Sequence, residues 1–81
     1  MKANVFIELK EGVADPEGEA TKKALRLLGF KNVKNVSTIK VFRIDIDARN
    51  KDEAEEELKA MCEKLLANPV IQKYKIEWLS D

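Results

Sequence analysis

The sequence predicts an α+β domain in which two helices lie on one face of an antiparallel sheet. Three observations carry that expectation. Apolar side chains alternate with polar ones near both ends, two inner stretches repeat at helical spacing, and a β-branched run separates them. At 81 residues the chain is expected to form one domain, residues 1–81, near the lower limit for folding on a single core without staples.

The first strand spans Ala3–Lys10, with Ala3, Val5, Ile7 and Leu9 on one face and Asn4, Phe6, Glu8 and Lys10 on the other. Glu11–Ala14 is the connection. Asp15-Pro16 then opens a helix, with the carboxylate placed to cap orphan N–H groups and the proline in the first turn, where it needs no donor. Glu17 and Glu19 suit the positive end of the helix dipole. Ala20, Ala24, Leu27 and Leu28 form the expected core stripe, widened by Leu25. Gly29 ends the helix as a left-handed residue, with Phe30 placed to pack back on Leu25.

Val33–Asp47 reads as two strands, roughly Val33–Thr38 and Lys40–Asp47. No Asn-Gly or Asp-Gly pair marks a turn between them. In the second of these, Phe42, Ile44 and Ile46 face away from Val41, Arg43, Asp45 and Asp47. Asn50 or Asp52 caps a long second helix whose expected stripe is Ala54, Leu58, Met61, Cys62 and Leu65, with Leu66 beside it. Glu55 and Lys59 pair on its wet face, and Glu53 and Glu55–Glu57 gather near its N-terminus. Asn68-Pro69 stops this helix. Val70-Ile71 turns, and Tyr74, Ile76 and Trp78 alternate in a last strand. The order β-α-β-β-α-β predicts a ferredoxin-like sandwich with four strands, the first and third central and the second and fourth at the edges.

The chemical inventory is thin. Histidine is absent, which removes the commonest general base, nucleophile partner and metal ligand. Fifteen basic residues balance fifteen acidic ones, so no net field draws the chain to nucleic acid. Cys62, the one cysteine, sits on a packing face and reads as core filler rather than nucleophile. Asp45 and Asp47 share a strand face but have no further ligands nearby to hold a metal. No phosphate-binding glycine pattern occurs, and Asp15 with two glutamates repels an anion from the first helix start. No catalytic residue, cofactor or metal is expected. No apolar run reaches membrane-spanning length and the first strand begins by Ala3, so a soluble cytoplasmic chain is expected.

What remains is surface. With both helices on one sheet face, the other carries Phe6, Val41 and Leu79 among Glu8, Lys10, Arg43, Asp45, Lys75 and Glu77. Open strand edges invite pairing with another chain, and so small a domain gains stability from it. Gly18, in the first turn of a helix, costs up to about 1 kcal/mol relative to alanine. Either local structure alone accounts for it, together with the Asp15 cap, or another backbone or a partner comes close there. Trp78 and Leu79 serve either as the last core layer or as an interface anchor.

Met61–Asn68 (MCEKLLAN), followed by Val70-Ile71 and Tyr74, resembles the second-helix segment of the PurS family, the small subunit of phosphoribosylformylglycinamidine synthase in bacteria and archaea. The likeness extends over nearly the whole chain, through Val5–Leu9, Gly12-Val13, Asp15–Gly18 and the hairpin Lys40. The sequence departs from the family at Ser37-Thr38-Ile39, where an Arg and a Gly often precede the lysine, and at Pro69, where a small polar residue is common. The resemblance implies a non-catalytic subunit that forms a homodimer or tetramer. It would bridge a glutaminase subunit and a large synthetase subunit that uses ATP, Mg²⁺ and glutamine, and help keep the ammonia path closed. Phe6, Asp15, Gly18, Lys40, Val41, Trp78 and Leu79 are the candidate interface residues.

Three other classes fit less well. A small-ligand regulatory module of the same βαββαβ order needs a glycine-rich turn after the first strand, and only Gly12 answers to that. RNA binding on the open sheet needs stacking aromatics in a basic surround, and Phe6 stands alone. A metallochaperone would need a CxxC, which is absent.

Overall fold

The computed structural model describes residues 1–79. Its order is β1 (Lys2–Leu9), α1 (Pro16–Leu27), β2 (Lys40–Asp45), α2 (Lys51–Met61) and β3 (Gln72–Trp78). The three strands form an antiparallel sheet in the order β2-β1-β3. In β1, Ala3, Val5 and Ile7 are buried, and their directly opposed partners place Ile44, Phe42, Tyr74, Ile76 and Trp78 on the same face. α2 covers that face with Ala54 and Leu58, followed by Cys62, all fully buried. Val5, Ile7, Cys62 and Ala67 form the centre of the core, with Phe42, Ile44, Leu66, Tyr74 and Ile76 packed around it.

The local signals act as their chemistry dictates. Asp15 caps α1 through Gly18 N–H, and Asn50 caps α2 through Glu53 N–H. Gly29 takes φ +103°, Phe30 N–H donates to Leu25 C=O and Gly29 N–H to Arg26 C=O. That is the left-handed helix stop expected of a glycine after α1.

Three expectations need correction. First, Val33–Thr38 is not a strand: positions 33–39 run without turn, bend or ladder into β2, so the sheet has three strands among the described residues. β2, expected to be central, is therefore an edge. The cause lies in the sequence. A tight hairpin needs positive φ at a central residue, and among the described residues only Gly12 and Gly29 have it.

Second, the stripe Ala20, Ala24, Leu27 and Leu28 is in solvent, with the two leucines 81% and 75% exposed. α1 does not share the sheet face with α2. Phe30 is also exposed. The chain is accordingly long, 51 × 29 × 14 Å with a radius of gyration of 16.1 Å, against about 12 Å for a compact chain of this length.

Third, the second helix changes pitch at its end. Residues Cys62–Leu66 form a π-turn, in which Ala67 N–H reaches back five residues to Cys62 C=O. Within this turn Ala67 comes to lie in the core and Leu65 is left 83% exposed; Met61, the last residue of α2, is also at the surface. Both had been placed on the core stripe by simple helical spacing.

Candidate functional site

The residues singled out from the sequence fall into three separate places. Phe6 and Val41 are directly opposed on β1 and β2, on the sheet face turned away from α2. Around them the face is tied by polar cross-strand pairs. Arg43 Nε donates to Asn4 Oδ1 at 3.1 Å, and Lys73 Nζ lies 3.7 Å from Glu8 Oε1. Val41 is half exposed. This face is a mixed surface with a small apolar centre, as its alternation predicts. Lys40 begins the same edge strand but lies on the opposite face, where its ammonium sits 5.7 Å from the Phe42 ring centre. Lys10 lies beyond β1, and its ammonium donates to Pro69 C=O at 2.7 Å. It secures the turn before β3 rather than lining the open face.

Asp15 and Gly18 form the second place. One carboxylate oxygen of Asp15 accepts from Gly18 N–H at 3.0 Å and the other from Thr38 N–H at 2.7 Å. The Thr38 and Gly18 N–H groups hold this carboxyl below the usual aspartate range, against a small opposing effect of desolvation. Gly18 is the buried residue of α1. A Cβ there would run into the Val36 carbonyl oxygen and come within 2.6 Å of Asp15 Oδ2. The close backbone approach expected from Gly18 is thus real, and the chain itself supplies it. Farther along, Arg26 donates through Nε and Nη2 to Val33 C=O at 3.1 and 2.9 Å. α1 and the segment Val33–Thr38 are therefore stapled at both ends into one arm.

Trp78 and Leu79 form the third place, at the far end of the sheet. Trp78 is half-buried on the core side beside Ala3, with the Lys51 ammonium 5.6 Å from its ring centre. Its indole Nε1 is buried without a hydrogen-bond partner. Leu79 N–H donates to Lys2 C=O at 3.0 Å, continuing the ladder. Trp78 closes the core at this end.

Cys62 borders a shallow cavity of about 300 Å³ shared with Lys10, Ala67, Gln72 and Tyr74. Burial pushes its thiol up, and neighbouring Glu63 adds to the shift. Both effects oppose the thiolate that nucleophilic chemistry requires. Burial, then Glu63 and Cys62, likewise raise Tyr74. Among the described residues no three of the acidic or thiol side chains converge on a metal-sized site, and no helix is long and apolar enough to cross a membrane.

The surface that the sequence did not announce is apolar. Leu27, Leu28 and Phe30 on the arm and Met61 and Leu65 at the end of the second helix are all exposed. Helical spacing predicted a core face for these side chains, and in this structure nothing covers them. Among the described residues the arrangement offers contact surfaces and free strand edges.

Comparison with known proteins agrees in scale and shape. Residues 2–80 match the family model described as PurS, phosphoribosylformylglycinamidine (FGAM) synthase. The chain is 78% identical over 78 residues to the phosphoribosylformylglycinamidine synthase subunit PurS of Archaeoglobus fulgidus, covering 96% of this chain and 98% of that one. It is similar to the crystal structure of Methanocaldococcus jannaschii PurS, one of the subunits of formylglycinamide ribonucleotide amidotransferase in the purine biosynthetic pathway. There the TM-score is 0.85 at 51% identity, over 94% of this chain and 92% of the other. It also superposes on a chain of PurLQS from Thermotoga maritima, with TM-score 0.90 at 33% identity over 96% and 95% of the two.

Proposed function

We propose, on the premise that this chain belongs to the PurS family of phosphoribosylformylglycinamidine synthase, that it is the non-catalytic small subunit of that synthase in purine biosynthesis. In this role it acts as a homodimer or tetramer, bridges the glutaminase and large synthetase subunits, and supports ammonia transfer between them. ATP, Mg²⁺ and glutamine are handled by those subunits, and this one binds none of them. Its place of work is the cytoplasm.

The observation that carries this reading is the end-to-end likeness to chains named as subunits of the synthase, one of them within PurLQS. The geometry supports it. The thiol is buried and held neutral, whereas apolar side chains on α1 and at the end of the second helix are left bare. A chain built this way contributes by contact.

Reconstitution tests it. The purified chain mixed with the large synthetase and glutaminase subunits should co-sediment with both and restore glutamine-dependent formation of the amidine product. If the two larger subunits show full glutamine-dependent activity without it, the proposal fails.

A further inference from the structure

We infer that the outer edge of β3 pairs with the same edge of a second copy of this chain. The two strands run antiparallel about a twofold axis at Ile76 and join two sheets into one. This deepens the homo-oligomer part of the reading above and rests on it, by naming one surface that meets and its occupant.

The edge is open and its backbone groups are aligned. Lys10 N–H donates to Ile71 C=O at 2.9 Å and Leu79 N–H to Lys2 C=O at 3.0 Å, at the two ends of the β1–β3 ladder. Alternation between those ends gives Lys73, Lys75 and Glu77 to β1 and turns the backbone of Gln72, Tyr74, Ile76 and Trp78 outward. Gln72 follows that direction, because its N–H donates away from β1 to Asn68 C=O at 2.7 Å. Tyr74, Ile76 and Trp78 make no backbone bond on that side among the described residues. Their side chains lie on the α2 face but are only half-buried, whereas Ile7, Val5 and Ala3 opposite them are buried. A strand added here covers apolar side chains as it takes up the free backbone groups.

Charge selects the occupant and the register. Exposed lysines on an edge ordinarily keep strands apart. The open face of β3 carries Lys73, Lys75 and Glu77, all exposed, and Lys73 is matched within the copy by Glu8. Lys75 and Glu77 take part in none of the ion pairs of the described residues. Turned end for end, the strand answers these two charges itself. With Ile76 opposite Ile76, Lys75 of each copy stands opposite Glu77 of the other, and Tyr74 stands opposite Trp78 on the α2 face. Residues with outward backbone groups must face one another, so the pairing slides only in steps of two residues. One step sets Lys75 against Lys75, and the step the other way sets Glu77 against Glu77. Like charges directly opposed destabilise a strand pair. The Ile76 register is thus apolar on one face and charge-matched on the other, and the twofold axis makes each match twice.

Charge reversal tests the pairing. Lys75 and Glu77 are exposed, so reversing them leaves the isolated fold intact, which circular dichroism checks. Lys75→Glu alone opposes acid to acid, and Glu77→Lys alone opposes base to base. Either should weaken self-association on the order of tenfold by sedimentation over a dilution series. The double variant Lys75→Glu, Glu77→Lys restores the matches and should return association to within about twofold of the parent. In the same series the amide hydrogens of Tyr74, Ile76 and Trp78 should exchange more slowly as the parent's concentration rises. Those of Lys73, Lys75 and Glu77 face β1 in either state and should stay unchanged. Single variants that associate like the parent, a double variant as weak as the singles, or outward amides that ignore concentration overturn the pairing. Glutamine-dependent synthesis in the reconstituted mixture is read separately: failure there strikes the assembly role, whereas failed charge rescue strikes only this edge.

Discussion

Replacing Gly18 with alanine separates two forces that usually act together. In an exposed helix turn the change stabilises, by about 0.4–1 kcal/mol, because alanine has less backbone freedom to lose. Here the new Cβ meets the Val36 carbonyl oxygen and stands 2.6 Å from Asp15 Oδ2. The first is backbone, and the second is a side-chain end tied by two hydrogen bonds. Val36 O belongs to a backbone held by the Thr38–Asp15 and Arg26–Val33 bonds, and Asp15 is the helix cap. Relieving the clash means moving the segment, with a crowding cost of about 1–3 kcal/mol, or releasing the cap, typically about 1 kcal/mol. Once the alanine gain is subtracted, the net loss should be up to about 2.5 kcal/mol. Urea unfolding at fixed protein concentration should show a lower midpoint with an unchanged slope. Thermal unfolding should fall by roughly 4–8 °C per kcal/mol lost. If Gly18→Ala raises the midpoint, the close approach of Val36 to α1 does not exist in solution, and the stapled arm falls with it.

The remaining expectations concern the cap, the core and the thiol. Asp15 has a lowered pKa in the folded chain, so the stability it gives is present above the unfolded aspartate value and lost as pH falls through the folded one. Asp15→Asn should flatten the acid side of the stability profile, read by urea midpoints at several pH values; an unchanged profile refutes the role given to the charge. Leu58→Ala should cost about 2–5 kcal/mol because Leu58 is fully buried, whereas Leu65→Ala should stay within about 0.5 kcal/mol. Comparable losses at the two sites would mean that the π-turn does not turn Leu65 outward. Cys62 should react with a thiol reagent at the rate of unfolding rather than at the rate of a free thiol. Cys62→Ala should leave glutamine-dependent activity of the reconstituted synthase intact; loss of activity in a folded complex would give the thiol a role it is here denied.

Most of the elements were legible because their signals are local. Alternation placed β1 and β3, Asp15 and Asn50 placed the helix starts, and Gly29 placed a helix end through a backbone angle that glycine readily adopts. Family membership was legible from the segment Met61–Asn68, although the pitch of that segment was not. A π-turn leaves no periodic trace in five residues, so Leu65 was placed on the inward face. The fourth strand failed for a different reason. Val33–Thr38 has strand composition, but composition does not name the strand it pairs with, and here no partner stands beside it in the same copy. The same holds for Leu27 and Leu28: hydrophobic spacing marks a face of a helix, not what packs on it, and in this copy nothing does. Of the candidate interface residues, Phe6 and Val41 meet on the open sheet face, while Asp15 and Gly18 serve the arm and Trp78 closes the core.

The π-turn after α2 bears on how the chain length ahead of the last strand can vary. Ala67 lies in the core and Asn68 N–H meets Gln72 Oε1 at 2.7 Å, with Ala67 N–H bonded five residues back, to Cys62 C=O, rather than four. Deleting one residue of Glu63–Leu66 would let the same N–H close an ordinary four-residue bond to the same carbonyl, so the chain from Ala67 onward would keep its place. Pro69 C=O would still receive the Lys10 ammonium. Substitutions are absorbed here as well where side chains are exposed, as at Glu63, Lys64 and Leu65. The turn holds one spare residue ahead of β3, and the position of that strand beside β1 tolerates its loss.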